Sequence, residues 1–401
     1  MVEGAATRSR WETDDVSSSG SRKKKKASKK RAAVKSPHAS EGSEVAAAPS
    51  AKHMHLESPS SGDIRPTHMG GNGALEYLGS CRPIDECYER LNKIEEGTYG
   101  IVYRARDLHT GEIVALKHLK LENERNGFPI TSLREIHTLL LAKHPNIINV
   151  REVVVGRSLN SIYMVMDFME HDLRTLMEAM PQGFRPSEIK TLMMQLLGAV
   201  AHLHANWLVH RDLKTSNLLM ASGGALRVAD FGLARKYSSP LHHMTGLVVT
   251  LWYRAPELLL GETNYSTAVD VWSVGCIFAE LFLHKPAFQG RGEIDQITQI
   301  FAALGPPTAE TWPLFHTLPN AKMFRFASST PASKRLGSRM QGYSGMTDHA
   351  FDLLTQLLTL DPAQRITAED ALNHPYFDEA PPPKHPSMFP TWPSKGAQER
   401  G

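Results

Sequence analysis

Near Phe168 the sequence changes period, and that change limits the chain to two unlike halves. From about Leu91 up to that point come short runs rich in β-branched and aromatic residues, LNKIEE, GIVYRARD, EIVALKHL, EVVVG and SIYMVMDF, interrupted by one amphipathic stretch, TSLREIHTLLLA. Such runs suit a pleated, half-buried surface, so this half is expected to be a small mainly-β lobe with one inserted helix. Past Phe168, SEIKTLMMQLLGAVAHLH sets Ile189, Met193, Leu196, Val200 and Leu203 three or four apart, which is helix spacing. Ser187 stands where a cap is needed. A mostly helical lobe should follow, giving an α+β, two-lobed fold whose cleft is the expected ligand site.

The flanks have another texture. Residues 1–85 are rich in Ser, Ala, Gly and charge and show neither period; with little apolar surface to bury, chain entropy wins and a mobile tail is expected. The folded unit should cover 86–377, and 378–401, with PPPKHP and FPTWP, should be a proline-rich extended segment. Inside the first tail RKKKKASKKR, Arg22 to Arg31, holds eight basic residues and no acid. The chain carries +3 overall, so everything outside this run sums to −5 and the basic character is local. The run reads as a nuclear-import signal, a nucleic-acid-contacting arm or solvated disorder. No aromatics interleave it, which argues against a base-stacking platform. Nuclear localisation, with a cytoplasmic pool, is therefore the expectation, and direct nucleic-acid binding is not.

Three cysteines, Cys81, Cys87 and Cys276, are too few for a disulfide framework and lack C-x-x-C spacing, which fits a reducing compartment. The N-terminus has no hydrophobic core segment, so no signal peptide is expected. The longest apolar run, VWSVGCIFAELFL, is too short to span a bilayer. It reads better as a helix buried around its whole circumference, and no membrane association is expected.

Chemistry concentrates in LVHRDLKTSNLL, Leu208 to Leu219. An acid to take a hydroxyl proton, a lysine two residues on to reach a phosphate and an asparagine five residues on to bind a metal are what phosphoryl transfer needs in one turn of chain. Asp212, Lys214 and Asn217 fill those places. Asp230 follows in ADFGLAR, where a carboxylate would hold a Mg²⁺ that neutralises phosphate charge. Upstream, VALKHL supplies Lys117 in an expected strand, and EEGTYGIV supplies Gly97 and Gly100, whose missing side chains let backbone amides approach phosphate oxygens. Downstream, APEL places Glu257 at the end of the segment that begins at Asp230. Each piece alone has a bland reading: a glycine pair is a turn, a strand lysine lies on the surface, D-F-G is a loop. In this order they resemble the protein-kinase set.

The stretch GFPITSLREI, 127–136, reads in two ways. Thr131 and Ser132 offer N-caps, and Ser132 with Glu135 fits the capping box Ser-x-x-Glu. Glu135 also lies in the first helix after the Lys117 strand, where the kinase pattern needs an acid to aim that lysine at the phosphates. Given the other motifs, the active-site reading is preferred. A capping role in an inactive state would make the helix a switch.

From about Tyr88 to Phe377 the chain resembles the cyclin-dependent kinases, and among them the PITSLRE kinases, named after the residues that stand here as Pro129 to Glu135; the likeness runs on into HPSMFPTWP, His385 to Pro393. The resemblance implies the two-lobed protein kinase fold, ATP and Mg²⁺, and a Ser/Thr kinase, since Lys214 is the Ser/Thr-type residue of the catalytic loop. It makes Asp212 the base, gives Mg²⁺ to Asn217 and Asp230, and gives the orientation of ATP to Lys117 and Glu135. The nucleotide would lie against Ile94, Glu95, Glu96, Gly97, Thr98, Tyr99, Gly100, Ile101, Val102, Ala115, Lys117, Met166, Asp167, Met169, Asp172 and Leu219. Met166 would be the gatekeeper, with Asp167 to Met169 as the hinge. Thr245 matches the activating phosphorylation site, Arg134, Arg211 and Arg235 the arginines that grip its phosphate, and Thr98 and Tyr99 an inhibitory pair.

Pro129 to Leu141 would be the cyclin-docking helix, with an L-type cyclin as partner and a role in transcription, pre-mRNA processing or cell-cycle control. Val249 matches a valine of strained backbone that imposes Ser-Pro or Thr-Pro sites on protein substrates. Leu247 stands where cell-cycle relatives carry an acid that attracts a distal basic residue. One departure is Glu95, an anionic side chain at the first glycine position of the nucleotide loop, expected to weaken ATP affinity by repulsion. Two alternatives stand beside the kinase: a pseudokinase-like cyclin-binding scaffold, which needs a broken catalytic piece, and a nucleic-acid-binding protein working through the basic run, which needs salt-dependent binding.

Overall fold

The structure is a computed structural model that describes residues 81–97, 100–119, 128–158, 161–237, 249–324, 333–340, 342–343 and 345–392. Its first lobe is a five-stranded antiparallel sheet in the order β1-β2-β3-β5-β4. The strands are β1 (Tyr88–Gly97), β2 (Gly100–Asp107), β3 (Ile113–Leu119), β4 (Val150–Val155) and β5 (Ile162–Asp167). A short helix α1 (Ile84–Cys87) precedes the sheet and α2 (Ile130–Leu141) is inserted between β3 and β4. Alternation along β3 sends Val114 and Leu116 into a small core with Ile84, Cys87, Tyr88, Ala105, Val154, Tyr163 and Val165. Ala115 and Lys117 therefore face the other way, into the cleft.

The second lobe contains α3 (Leu173–Ala179), α4 (Pro186–Ala205), α5 (Pro256–Leu259), α6 (Ala268–Leu283), α7 (Glu293–Leu304), α8 (Ser333–Met340), α9 (Asp348–Leu357) and α10 (Ala368–Leu372). Two small sheets join them. One pairs β7 (Leu208–Val209) with β10 (Arg235–Lys236); the other runs in the order β6-β8-β9 from β6 (His171–Asp172), β8 (Leu218–Met220) and β9 (Leu226–Val228). Every residue of α6 is buried, as its apolar sequence demands. Its three polar exceptions are all matched: Asp270 accepts two backbone N–H groups, Ser273 donates to the Tyr253 carbonyl at 2.9 Å and Glu280 accepts from Tyr253 and Thr215. These partners make α6 the rod on which the loops above it hang. Among the described residues no helix is long and apolar enough to cross a membrane.

Helix starts differ from the sequence expectation. Helix α2 begins at Ile130 behind Pro129, with no side-chain cap, so Ser132 is the third helical residue and is buried. Pro129 is itself the N-cap, with an extended ψ of 122°, and it offers no side-chain oxygen to cap the helix and no N–H that needs a partner. At α4 Pro186 is the first helical residue, where its preset φ suits a helix start; the Arg185 N–H donates to Glu188 at 2.9 Å, and Ser187 is not the cap. The segment past Phe377 is largely without regular structure, yet Phe389 is buried in the larger core. The basic run Arg22 to Arg31 lies outside the described residues.

Candidate active site

Strand alternation and helix α2 bring the first pair together. The ammonium of Lys117 donates to Glu135 Oε1 at 2.5 Å and lies 3.8 Å from Asp230 Oδ1. Both members of the pair are buried, with side chains only 11% and 5% exposed, so the contact is shielded from water and from salt. Glu135, the sixth residue of α2, therefore does not cap the helix; it is bound to the strand lysine.

On the facing lobe, Asp212 gathers the catalytic loop. Its Oδ2 accepts from Lys214 Nζ at 2.7 Å and from Asn217 Nδ2 at 3.1 Å. Its Oδ1 accepts from the Thr250 N–H at 3.2 Å and hydroxyl at 3.0 Å. Asn217 Nδ2 also donates to the Asp212 carbonyl at 2.8 Å, which leaves the amide oxygen as the atom a cation would take. Asp230 sits at φ 61°, and its Oδ1 is buried without a hydrogen-bond partner among the described residues. A carboxylate oxygen without a hydrogen bond and an amide oxygen left open by its own NH₂ group are donors that suit Mg²⁺, which takes one or two protein ligands and completes its shell with phosphate and water. Among the described residues no group of three His, Cys, Asp or Glu could hold a metal unaided.

Support for this loop comes from residues that motif spacing does not reveal. Asp270 of α6 accepts the backbone N–H groups of His210 (2.8 Å) and Arg211 (2.9 Å) and pairs with His204 Nε2 at 3.1 Å. Burial pushes its carboxyl pKa up, but the bond and charge of His204 and the Arg211 N–H outweigh that and hold it below the ordinary value. His210 accepts the Asp212 N–H at Nδ1 (3.2 Å), so its Nε2 carries the proton donated to the Ala229 carbonyl at 3.1 Å. That bond ties the base-bearing loop to the residue before Asp230.

The nucleotide wall follows the strand registers. Ala115 is paired with Met166, Val102 with Lys117, and Leu219 with Asp172. Met169 is half-buried, whereas Ile94 and Glu95 are exposed on β1; Glu96 pairs with Lys93 at 2.6 Å. A Cβ on Gly100 would lie 2.3 Å from the His118 carbonyl oxygen, so this position of the hairpin admits only glycine. Two of the expected side chains are committed elsewhere. Asp167 binds Arg151 Nε (2.7 Å) and Arg227, joining the hinge to both lobes. Asp172 caps α3 by accepting the Thr175 N–H at 2.8 Å. Thr98 and Tyr99 lie outside the described residues, as do Thr245 and Leu247.

Of the three arginines expected at a phosphate, Arg211 and Arg134 lie near enough to Arg235 for their charges to act on it. Arg211, buried and at φ 67°, donates to the Leu233 carbonyl at 2.8 Å and to Tyr265 at 2.7 Å. Burial, and then repulsion from Arg211 and Arg134, lowers the pKa of the Arg235 guanidinium. Val249 also has positive φ, 67°, and its carbonyl accepts from Arg254 Nη2 at 3.0 Å. A β-branched residue there is a true outlier, tolerated where surrounding structure enforces it. Glu257 and Arg365 form a buried bidentate pair at 2.8 and 3.0 Å, closing the segment that starts at Asp230.

Residues 88–377 match the protein kinase domain family. The chain shares 57% identity over 329 residues with cyclin-dependent kinase 11B of Mus musculus, covering 81% of this chain and 41% of that protein. It shares 56% over 328 residues with cyclin-dependent kinase 11B of Rattus norvegicus, 81% of this chain and 73% of the relative. Against serine/threonine-protein kinase PITSLRE of Drosophila melanogaster the identity is 55% over 319 residues, 79% of this chain and 33% of the relative. The chain spans about two fifths of the mouse and human kinases it matches.

Proposed function

The chain belongs to the protein kinases, within their cyclin-dependent PITSLRE branch, and from that membership we propose that it transfers the γ-phosphoryl group of ATP to serine or threonine in proteins. The observation that carries the reading is the alignment of Lys117 with Glu135 and Asp230 across the cleft from the Asp212, Lys214 and Asn217 cluster. Asp212 takes the proton of the substrate hydroxyl; the hydroxyl oxygen of the Ser or Thr bonds to the γ-phosphorus as the bond to the bridging oxygen of ADP breaks. Lys117 orients the nucleotide phosphates and Lys214 meets the transferring group. Asn217 and Asp230 would hold Mg²⁺, which neutralises phosphate charge when bound. Nothing in the catalytic set is broken, which favours an enzyme over a scaffold.

A cyclin is the proposed partner, an L-type cyclin in particular by resemblance. Helix α2 supports it: Ile130 and Leu133 are 67% and 52% exposed, with Leu140 and Leu141 beside them. An apolar helix face left open to water calls for a cover. Because Lys117 and Glu135 already meet in the chain alone, the cyclin would stabilise that state rather than create it. Ser-Pro and Thr-Pro sites are the proposed targets, and the nucleus the proposed location, through Arg22 to Arg31. The test is transfer from radiolabelled Mg·ATP to a Ser-Pro peptide, with and without cyclin. Asp212→Asn should abolish transfer and leave nucleotide binding intact; unchanged turnover in that variant overturns the assignment.

A further inference from the structure

The match to the kinase domain ends at Phe377, yet the next fifteen residues are built into the second lobe. Lys190, in the second turn of α4, is only 1% exposed. Its ammonium donates to the carbonyls of Glu379 (2.7 Å) and Pro381 (3.0 Å), lies 3.6 Å from the Glu379 carboxylate and sits 4.9 Å from the Tyr376 ring centre. A lysine is buried so deeply only when its charge is satisfied, and here the partners belong mostly to the C-terminal segment. Thr191 donates to the Lys384 carbonyl at 2.5 Å, the Lys384 N–H donates to Ser187 at 3.0 Å, and its ammonium pairs with Glu188 at 2.8 Å. The start of α4 is thus a socket for residues 379–384.

The segment then runs beneath the β6-β8-β9 sheet. A Cβ on Gly224, in the turn between β8 and β9, would lie 2.4 Å from the Pro386 carbonyl oxygen and 2.8 Å from the Phe389 ring. Phe389 is buried there. Trp392 meets Phe184 edge-on at 6.1 Å and His171 at 6.4 Å with the rings 81° apart. The His171 Nε2 is buried with no hydrogen-bond partner among the described residues, so no hydrogen bond at that nitrogen fixes the ring, and the Trp392 indole packs against it. Opposed residues of an antiparallel ladder share a face and successive residues alternate. His171 is opposite Met220, and Asp172 is opposite Leu219. Trp392 therefore presses on the face opposite to the one that carries Leu219 and Asp172.

We propose that residues 378–392 form a strap that fixes the floor of the nucleotide site, with Trp392 a positioning residue that acts on Leu219 and Asp172 through His171. The inference rests on the kinase reading for what the floor binds. It differs from a purely stabilising role because it assigns a directional effect: loss of Trp392 should loosen nucleotide binding while sparing the peptide.

In the full chain with its cyclin, Trp392→Ala should raise both the Kd for a non-hydrolysable ATP analogue and the KM for ATP about three- to tenfold. The peptide KM and kcat should stay within about twofold, and Trp392→Phe, which keeps an aromatic edge, should recover most of the loss. An unchanged nucleotide Kd, or a fall in kcat with KM for ATP constant, overturns the strap. If the unaltered chain binds no nucleotide, the kinase reading has failed, and the strap is then judged by amide exchange alone. Exchange across 218–228 should be faster in Trp392→Ala than in the unaltered chain; equal exchange overturns it.

Discussion

The guanidinium of Arg254 holds the backbone carbonyl of Val249, with Nη2 at 3.0 Å and Nε at 3.3 Å. That carbonyl is thereby withdrawn from any substrate residue that would offer it an N–H. An ordinary residue after the target would bury an unpaired donor, at a cost of about 1 to 3 kcal/mol, whereas proline has no N–H to strand. A Ser-Pro peptide should therefore exceed its Ser-Ala counterpart about 5- to 150-fold in kcat/KM. Arg254→Ala should shrink that ratio by releasing the carbonyl. Equal kcat/KM for the two peptides would remove the Val249 explanation.

Glu135→Gln should lower kcat about 100-fold, the order of loss that a misplaced positioning group brings. Without the carboxylate at 2.5 Å, Lys117 is left with Asp230, 3.8 Å away, and is drawn off the phosphates. Steady-state kinetics of the cyclin complex decide it, and a change below threefold would mean that the pair does not orient ATP.

The like charges of Arg211, Arg134 and Arg235, whose repulsion contributes to lowering Arg235, call for an anion. Phosphate on Thr245 would bring about −1.5 to −2 charges, so phosphorylated protein should be faster and melt higher than unphosphorylated protein. Arg235→Gln should raise the melting temperature of the unphosphorylated form slightly and remove most of the gain on phosphorylation. Retention of the full gain in that variant counts against the cradle.

Asp270→Asn should destabilise the protein by about 1 to 3 kcal/mol for each backbone N–H it strands. Since the folded carboxyl pKa is lowered, its contribution is present above the ordinary aspartate value, about 3.9, and is lost as pH falls through the lower folded value. The stability gap between the unaltered chain and the variant should hold from about pH 5 to 8 and narrow only below about pH 4. Denaturant melts across that range test it. A gap that closed well above pH 4 would mean that the Asp270 carboxylate is not the source of it.

Glu95→Gly should lower the KM for ATP about two- to fivefold, as expected of one exposed charge removed near the phosphates. The difference should fade in high salt, where exposed charges are screened. A salt-independent change would indicate altered loop geometry rather than repulsion.

The sequence by itself determined whatever the chain holds at short range. Asp212, Lys214 and Asn217 lie within six residues, so covalent geometry brings them to one turn wherever that turn is placed. The two lobes were legible because a period of two and a period near 3.6 bury different faces. Tertiary structure alone decided the rest. Glu135 satisfied two local patterns equally, and the outcome followed from the helix starting at Pro129 and packing its buried face toward β3. Thr250, Asp270 and Arg254 escaped because spacing encodes contact only where the chain itself sets the distance. Thr250 and Asp270 reach the catalytic loop from 38 and about 60 residues away, and Arg254 was unremarkable until the turn at Val249 aimed a carbonyl at it. By sequence the proline-rich end reads as merely extended, because its anchors, Lys190 and Gly224, lie in the second lobe far earlier in the chain.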